Sequence, residues 1–126
     1  MPRTTGLLLP VAALIGLVAG LRGLPIGRYI VEGPSMEPAY QPGDRVLVNR
    51  LAYLRRTPDV GDVVVLRDPE RRGHFLLKRI ARAPDGADPG PARFYVLGDN
   101  AAASRDSRAF GPVERRQVVG KAWLRY

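Results

Sequence analysis

Ser35 lies in a stretch of the sequence that would hold a nucleophile rigid. The stretch reads Glu32-Gly33-Pro34-Ser35-Met36-Glu37-Pro38. Its two prolines fix φ at about −65° and lack N–H donors, so neither a regular helix nor a central strand is expected here. A serine on such a turn has the fixed geometry that a nucleophilic hydroxyl requires. Pro-Ser turns are also common on protein surfaces without any chemical role, so this stretch alone leaves both interpretations open.

Lys78 is the second residue with chemical potential, because its strand would place it among aliphatic side chains. In Phe75-Leu76-Leu77-Lys78-Arg79-Ile80, period-two alternation puts Lys78 on the same face as Leu76 and Ile80. Such a lysine either extends its amine to solvent or is partly desolvated. Desolvation disfavours the ammonium form and lowers the pKa, which makes a lysine a base near neutral pH. A rigid serine elsewhere in the chain favours the desolvated interpretation.

A polar segment, residues 98–113, carries further side chains that could take part in chemistry. It contains the hydroxyls of Ser104 and Ser107 and the carboxylates of Asp99 and Asp106 among arginines. One interpretation is a solvated loop. A connection of this length is unusual in a compact domain, however, and such loops are commonly functional. The Asp and Arg content predicts internal ion pairs.

The cysteine and histidine content narrows the remaining chemistry. The chain has no Cys and one His, so a disulfide, a thiolate metal site and a Cys nucleophile are excluded. A histidine metal cluster is not expected either, and no metal or organic cofactor is implied. His74 is the single imidazole that could serve a Ser-His-Asp hydrolase. Its place beside Gly73, at the start of the lysine-bearing strand, is equally that of an ordinary solvent-facing turn residue.

Short strands separated by glycine and proline turns would have to position these residues. A chain of 126 residues with 14 Gly and 12 Pro indicates one turn-rich β domain. Residues 51–56 are predicted to form a helical turn. The pattern is typical of a mainly β fold, with a small antiparallel sheet bent into a partial barrel. Six strands are predicted, at residues 29–31, 45–48, 63–66, 75–81, 94–97 and 118–124.

The N-terminal residues 6–21 carry no charge and are strongly apolar. As a helix they would be about 24 Å long at about 1.5 Å per residue. That is short for a bilayer core of about 30 Å unless flanking residues extend the span. A membrane anchor, a cleaved signal peptide ending near Gly20 and a peripheral apolar helix are the three interpretations. Arg3 before the segment and Arg22 and Arg28 after it leave the orientation unspecified.

We predict a single-pass anchor helix and linker over residues 1–27 and a β domain over residues 28–126. The formal net charge of +8 is carried almost entirely by arginine, since only Lys78 and Lys121 of the 20 basic residues are lysines. This charge is compatible with nucleic acid or with an anionic membrane surface. The arginines are scattered, however, and aromatic residues are not interleaved as base stacking requires. Solvated surface charge is therefore the better interpretation.

Four blocks of the sequence, in this order, resemble the type I signal peptidases, the serine/lysine-dyad peptidase family S26. Together the blocks cover most of residues 31–113, and their order is more specific than any one of them. The resemblance implies a membrane-tethered serine endopeptidase on a β fold, located in the plasma membrane of a bacterium. The blocks are Gly33-Pro34-Ser35-Met36-Glu37-Pro38, Gly61-Asp62-Val63-Val64-Val65, Leu77-Lys78-Arg79, and Gly98-Asp99-Asn100 through Ser104-Arg105-Asp106-Ser107-Arg108 to Phe110-Gly111-Pro112-Val113.

The resemblance also implies roles for individual residues. Ser35 would be the nucleophile, Lys78 the general base, and Ser104 the hydroxyl that orients the lysine amine. Asp99 with Arg79, and Asp106 with Arg108, would be structural ion pairs that brace the site. The backbone N–H of Ser35 would serve the oxyanion hole. Some family members carry a hydroxyl two residues before the nucleophile. Gly33 stands there in this chain, so a side-chain donor is missing.

The expected substrate is a protein with an N-terminal leader peptide bound as an added strand, with small residues at positions −1 and −3. It would lie beside Tyr29, Ile30 and Val31, with Met36 also in contact. Only nineteen residues separate Lys78 from Gly98, so the large second domain of some relatives is not expected. Membrane lipid is the other expected partner.

Two alternative functions stay open. The short length and Ala101-Ala102-Ala103-Ser104 resemble the branch that matures nickel-type superoxide dismutase by removing its prosequence. A phage-repressor-type self-cleaving protease would need a DNA-binding domain, and nothing before Gly33 resembles one. From a different class, the chain could be a non-catalytic basic β module that binds nucleic acid or lipid. That reading leaves the ordered blocks unexplained, so no nucleic-acid partner is expected.

Overall fold

The computed structural model of the protein describes residues 26–84, 86–87 and 89–126. The predicted anchor, residues 6–21, lies outside the described residues. Within the part of the chain that is described, none of the helices combines the length and the apolar character that a bilayer crossing requires.

In the part of the chain that the structure describes, antiparallel strands form the framework, in the spatial order β1-β2-β7-β3-β4-β5-β6. This confirms the expected mainly β, antiparallel, partly barrel-like fold. Among the described residues, the connections contain a short helix, α1 (Ser107–Phe110), and 3₁₀ turns at Ala101–Ala103 and Arg115–Gln117. The strands are β1 (Ile26–Ile30), β2 (Arg45–Asn49), β3 (Val63–Arg67), β4 (Phe75–Arg82), β5 (Arg93–Leu97), β6 (Val113–Glu114) and β7 (Val118–Arg125).

Each of the six predicted strands overlaps an observed one, and the differences are local. β6 was not predicted, because a strand of two residues is too short to have a detectable alternation. β1 begins at Ile26, so the last two residues assigned to the linker pair with β2. Residues 51–56 form an isolated turn, in which the Leu54 N–H donates to the Leu51 carbonyl at 3.2 Å.

β3 is buried on both faces, and it separates two apolar clusters. Its alternation sends Val64 and Leu66 to a larger cluster and Val65 to a smaller one. The smaller cluster, with Val31, Val46 and Val48, lies beneath the surface on which Ser35 is found. The larger cluster consists of Tyr53, Val64, Leu66, Ile80, Phe94, Val96, Val113 and Val118.

The sheet is curled because the last strand of the chain is inserted in its middle and because three ladders contain bulges. β7 pairs with β2 on one side and β3 on the other. Register shifts occur between β2 and β7, β3 and β7, and β4 and β5. Bulges bend a strand and increase its twist. As a result, the end of β1 and the beginning of β4 lie on opposite sides of one cleft.

Candidate active site

A cleft of about 280 Å³ brings together residues that are more than 40 positions apart in the sequence. One wall follows the end of β1 into the Ser35 turn, and the other follows the first half of β4. Val46 and Val65 contribute to its lining from the smaller apolar cluster. The lining residues are Tyr29, Ile30, Val31, Glu32, Ser35, Met36, Val46, Val65, Gly73, His74, Phe75, Leu76, Leu77 and Lys78.

The turn that contains Ser35 is fixed by contacts within the turn and by hydrogen bonds from a distant loop. Within the turn, the Glu37 N–H donates to the Pro34 carbonyl at 3.1 Å. The next side chain, Met36, is fully buried and anchors the turn to the domain. From outside, the backbone N–H of Asn100 donates to the Ser35 carbonyl at 2.9 Å, and its side-chain amide donates to the Pro34 carbonyl at 3.1 Å. The rigidity expected from the prolines is thus supplemented by a distant loop.

Gly33 and Gly98 allow the backbone to take this shape. Gly33 has φ of +74°, a region that a residue with a Cβ seldom adopts. Gly98 is packed so closely that a Cβ there would lie 2.5 Å from the Cβ of Ser104 and 2.7 Å from the carbonyl oxygen of Ser35. The serine turn and the Ser104 segment therefore meet through a glycine contact.

Lys78 is buried, with only 2% of its surface exposed. Its amine donates a hydrogen bond to Ser104 Oγ at 3.0 Å. Burial lowers the pKa of this amine; the Asp106 carboxylate opposes the change, and the guanidinium groups of Arg105 and Arg108 reinforce it. The structure therefore agrees with the interpretation in which Lys78 is desolvated, and not with the one in which its amine extends to solvent.

The Ser104 hydroxyl donates its hydrogen bond to a carboxylate rather than to the lysine. Its hydroxyl donates to Asp106 Oδ2 at 2.7 Å, so its oxygen accepts from the Lys78 amine. Asp106 also accepts the Gly98 N–H at 2.9 Å and two hydrogen bonds from the Arg108 guanidinium, at 2.8 and 2.9 Å. Burial would raise the pKa of the Asp106 carboxyl, but these donors outweigh it and hold the pKa well below its ordinary value. Asp106 is consequently an anion at neutral pH.

Two ion pairs brace the loop that carries Ser104, one to β4 and one within the loop itself. Arg79 forms a two-pronged pair with Asp99, at 2.9 and 2.8 Å, and donates to the Gly61 carbonyl at 2.9 Å. This pair ties β4 to the Gly98-Asp99-Asn100 turn, which in turn holds Ser35. Arg108 pairs with Asp106 and donates to the Ala101 carbonyl at 3.1 Å.

The remaining residues named from the sequence lie around the cleft. Tyr29, Ile30, Val31 and Met36 all line it, on the wall that leads to Ser35. His74 is exposed at its edge. The ring of Tyr29 meets that of Phe75 edge-on across the cleft, with centroids 5.6 Å apart.

Sequence reasoning missed the second wall and one ionic cluster. Phe75, Leu76 and Leu77 face β1 only because of the curl of the sheet, for which period-two alternation carries no signal. A cluster of Asp68, Glu70 and Arg105 was missed as well. Among the described residues, no group of three or more His, Asp or Glu side chains is arranged to hold a metal ion.

The fold and the comparisons with known proteins define the class of this protein, a serine endopeptidase. It belongs to the signal peptidase family, peptidase S26, whose model matches residues 4–86 and 90–126. The chain is 39% identical over 112 residues to the mitochondrial ATP-independent inner membrane protease subunit 1a of Arabidopsis thaliana, covering 75% of this chain and 67% of the relative.

Two bacterial relatives support the same assignment. Signal peptidase I of Bacillus caldolyticus is 28% identical over 160 residues, covering 87% of this chain and 84% of the relative. The probable signal peptidase I-2 of Synechocystis is 26% identical over 146 residues, covering 87% of this chain and 67% of the relative.

Proposed function

We propose that this endopeptidase removes N-terminal signal or leader peptides from exported proteins, with Ser35 as the nucleophile and Lys78 as the general base. The observation that carries the proposal is the buried Lys78 amine, held by Ser104 in the wall of the cleft that Ser35 also lines. Burial lowers the pKa of this amine and so increases the fraction of neutral base available at a given pH.

The directions of the hydrogen bonds around Ser104 suit the Lys78 amine to act as a base. Because the Ser104 hydroxyl donates to Asp106, the Lys78 amine must donate through one of its own N–H groups to Ser104 Oγ. A neutral amine that donates in this direction keeps its lone pair for another proton. That proton would come from the Ser35 hydroxyl as its oxygen attacks the scissile carbonyl carbon.

The remaining steps follow from the same groups. The ammonium formed on Lys78 is stabilised by the Asp106 carboxylate and returns the proton to the leaving amine as the peptide bond breaks. Water, deprotonated by the neutral Lys78, then attacks the acyl-Ser35 ester; the leader departs with its new carboxylate, and Lys78 returns the proton to the Ser35 oxygen. The Ser35 backbone N–H would donate to the oxyanion; Gly33 offers no side chain for a second donor.

The substrate would bind as an extended strand between the two walls. β1 is the first strand of the sheet order, and within the described residues β4 pairs with β5 only from Arg79 onward. The edge of β1 and the first half of β4 therefore offer backbone groups on both sides of the cleft, as strand addition requires. The apolar lining from Val46, Val65 and Leu77 leaves limited room, which favours small side chains near the cleaved bond.

The membrane location is part of the same proposal. Residues 6–21 would act as a single-pass anchor in a bacterial plasma membrane. They precede β1 closely, and β1 borders the cleft. An anchor there would keep the cleft near the surface at which leader peptides emerge.

The test is cleavage of leader peptides by the full chain purified in detergent. One substrate carries an Ala-X-Ala leader and a second carries the prosequence of a nickel-type superoxide dismutase; preference for the second would favour the maturation protease. We expect Ser35→Ala and Lys78→Ala to reduce kcat/KM by at least about 10³-fold, as removal of a nucleophile or base does. The matched control is His74→Ala, which should keep most of the activity.

Other outcomes would overturn the proposal. If His74→Ala abolished cleavage and Lys78→Ala did not, the base would be the imidazole. If neither peptide were cleaved and the chain bound nucleic acid in a salt-dependent manner that survived Ser35→Ala, a basic binding module would be the better description.

A further inference from the structure

A second ionic cluster lies beside the Lys78–Ser104 contact and has no part in the proposed proton transfers. The Arg105 guanidinium binds the carboxylate of Asp68 through one nitrogen and that of Glu70 through another, at 2.7 Å for the Glu70 contact. Its carbon also lies 5.7 Å from the centre of the Phe110 ring. Arg105 therefore bridges two acidic residues that are more than 30 positions earlier in the chain.

Asp68 is a fixed point of the hairpin that joins β3 to β4. Its N–H donates to the His74 carbonyl at 2.9 Å, and its Oδ1 accepts the Glu70 N–H at 2.9 Å. Its side chain is only 1% exposed, whereas that of Arg105 is 37% exposed. Burial opposes ionisation of Asp68, but the Arg105 guanidinium and backbone donors outweigh it and keep the pKa of this carboxyl below its ordinary value.

The position of this cluster beside the Lys78–Ser104 contact indicates its role better than any contribution that it makes to folding stability. Arg105 is the chain neighbour of both Ser104 and Asp106, the two residues that hold the Lys78 amine. Asp68 lies on the same hairpin as Lys78. The Asp68–Arg105 pair thus joins the two sides of the Lys78–Ser104 contact at a second point. A buried carboxylate is weak support for stability, because a well-packed apolar residue often serves as well.

We propose that Arg105 is a positioning residue for the peptidase reaction, and that by bridging Asp68 and Glu70 it fixes Ser104 against the Lys78 amine. This inference rests on the proposed role of Lys78 as the base. A planar guanidinium is suited to the task, because it can hold two carboxylates in fixed directions at once.

The charges of the cluster give the proposal a signature that a purely structural role lacks. Burial is the main cause of the lowered pKa of Lys78; the Asp106 carboxylate raises it, the Arg105 and Arg108 guanidinium groups lower it, and the Asp68 carboxylate raises it. Removal of the Arg105 cation should therefore raise this pKa, and removal of the Asp68 anion should lower it. Tyr29, Glu32 and His74 also line the cleft, and neither substitution removes any of these side chains.

The experiment is the pH profile of kcat and kcat/KM on a leader peptide, measured for the full chain in detergent. We expect Arg105→Gln to lower kcat by about 10- to 100-fold through misplacement of the amine. The acid limb of the pH profile, where activity falls as Lys78 becomes protonated, should move to higher pH in Arg105→Gln and to lower pH in Asp68→Asn. Arg105→Lys keeps the cation, so its limb should stay in place while kcat falls. The control, Arg116→Gln, removes an exposed arginine paired with Glu114 and should change neither kcat nor the position of the acid limb.

The inference is overturned if Arg105→Gln has a wild-type acid limb and loses activity only in proportion to its folded fraction. If that variant does not fold, Asp68→Asn decides: a limb at lower pH supports the inference, and an unmoved limb overturns it. Ser35→Ala distinguishes a failure of the proposed function from a failure of the proposed role of Arg105. Activity that survives this substitution refutes the proposed function itself, whereas an inactive Ser35→Ala beside a wild-type-like Arg105→Gln refutes only the role of Arg105.

Discussion

Replacing Ser104 with alanine tests the hydrogen bonds on which the lysine depends. The hydroxyl accepts from the Lys78 amine at 3.0 Å and donates to Asp106 Oδ2 at 2.7 Å. Without it, the amine loses the acceptor that sets its direction, and the buried carboxylate loses one of its donors. The first change falls on the amine proposed to receive a proton from Ser35, and the second on the carboxylate that lies beside that amine.

The size of the effect follows from the burial of the groups. An unmet hydrogen bond at a buried polar group costs about 1–3 kcal/mol. If that cost falls on the transition state, kcat/KM should drop by about 5- to 150-fold. We expect the loss mainly in kcat, because Ser104 is not among the residues that line the cleft.

Ser107 provides a matched control for this substitution. It lies three residues further on, is 3% exposed, and its hydroxyl accepts the Val96 N–H at 2.8 Å. Ser107→Ala should therefore cost a similar amount of folding free energy, but its hydroxyl contacts β5 rather than the lysine. The measurements are kcat, KM and the thermal unfolding midpoint of both variants.

The reasoning is refuted if Ser104→Ala keeps kcat within about twofold of wild type, since a twofold change is only about 0.4 kcal/mol. It is also refuted if the two alanine variants lose equal activity for equal loss of stability. In either case the orientation of the amine by Ser104 would not limit the reaction.

Two further predictions concern the neighbours of Ser104. Gly98→Ala should lower both stability and kcat, because a Cβ there would lie 2.7 Å from the Ser35 carbonyl oxygen; unfolding and kinetic measurements on an Ala102→Gly control check this. Asp106→Asn should cost about 1–3 kcal/mol at neutral pH, since an amide cannot accept from all the present donors. The depressed pKa of Asp106 means that its ionised form stabilises the fold above the ordinary value of 3.8, a contribution lost as the pH falls below that value. Urea unfolding at several pH values should therefore show a smaller acid-induced loss of stability for Asp106→Asn than for wild type.

The local structure was largely determined by the sequence, because turns and alternation depend on near neighbours. Gly43 and Gly61 have positive φ and each precedes a strand by two residues, as expected for strands separated by glycine and proline turns. In β2, Val46 and Val48 are buried on one face, as period-two alternation requires. The ordered blocks around Ser35 and Lys78 indicated the family, which the comparisons confirm.

The tertiary structure alone decided how these pieces face one another. The sequence does not state that β7, the last strand, pairs between β2 and β3. That insertion, with the bulges, curls the sheet and places the first half of β4 opposite β1. Alternation left Lys78 with two interpretations, because exposure depends on which distant segments cover a side chain. The segment carrying Ser104 is that cover, and the pairing of Arg105 with Asp68 arises from the same non-local packing. Pairings of this kind depend on the sum of many contacts between distant residues, and no local pattern in the chain encodes them.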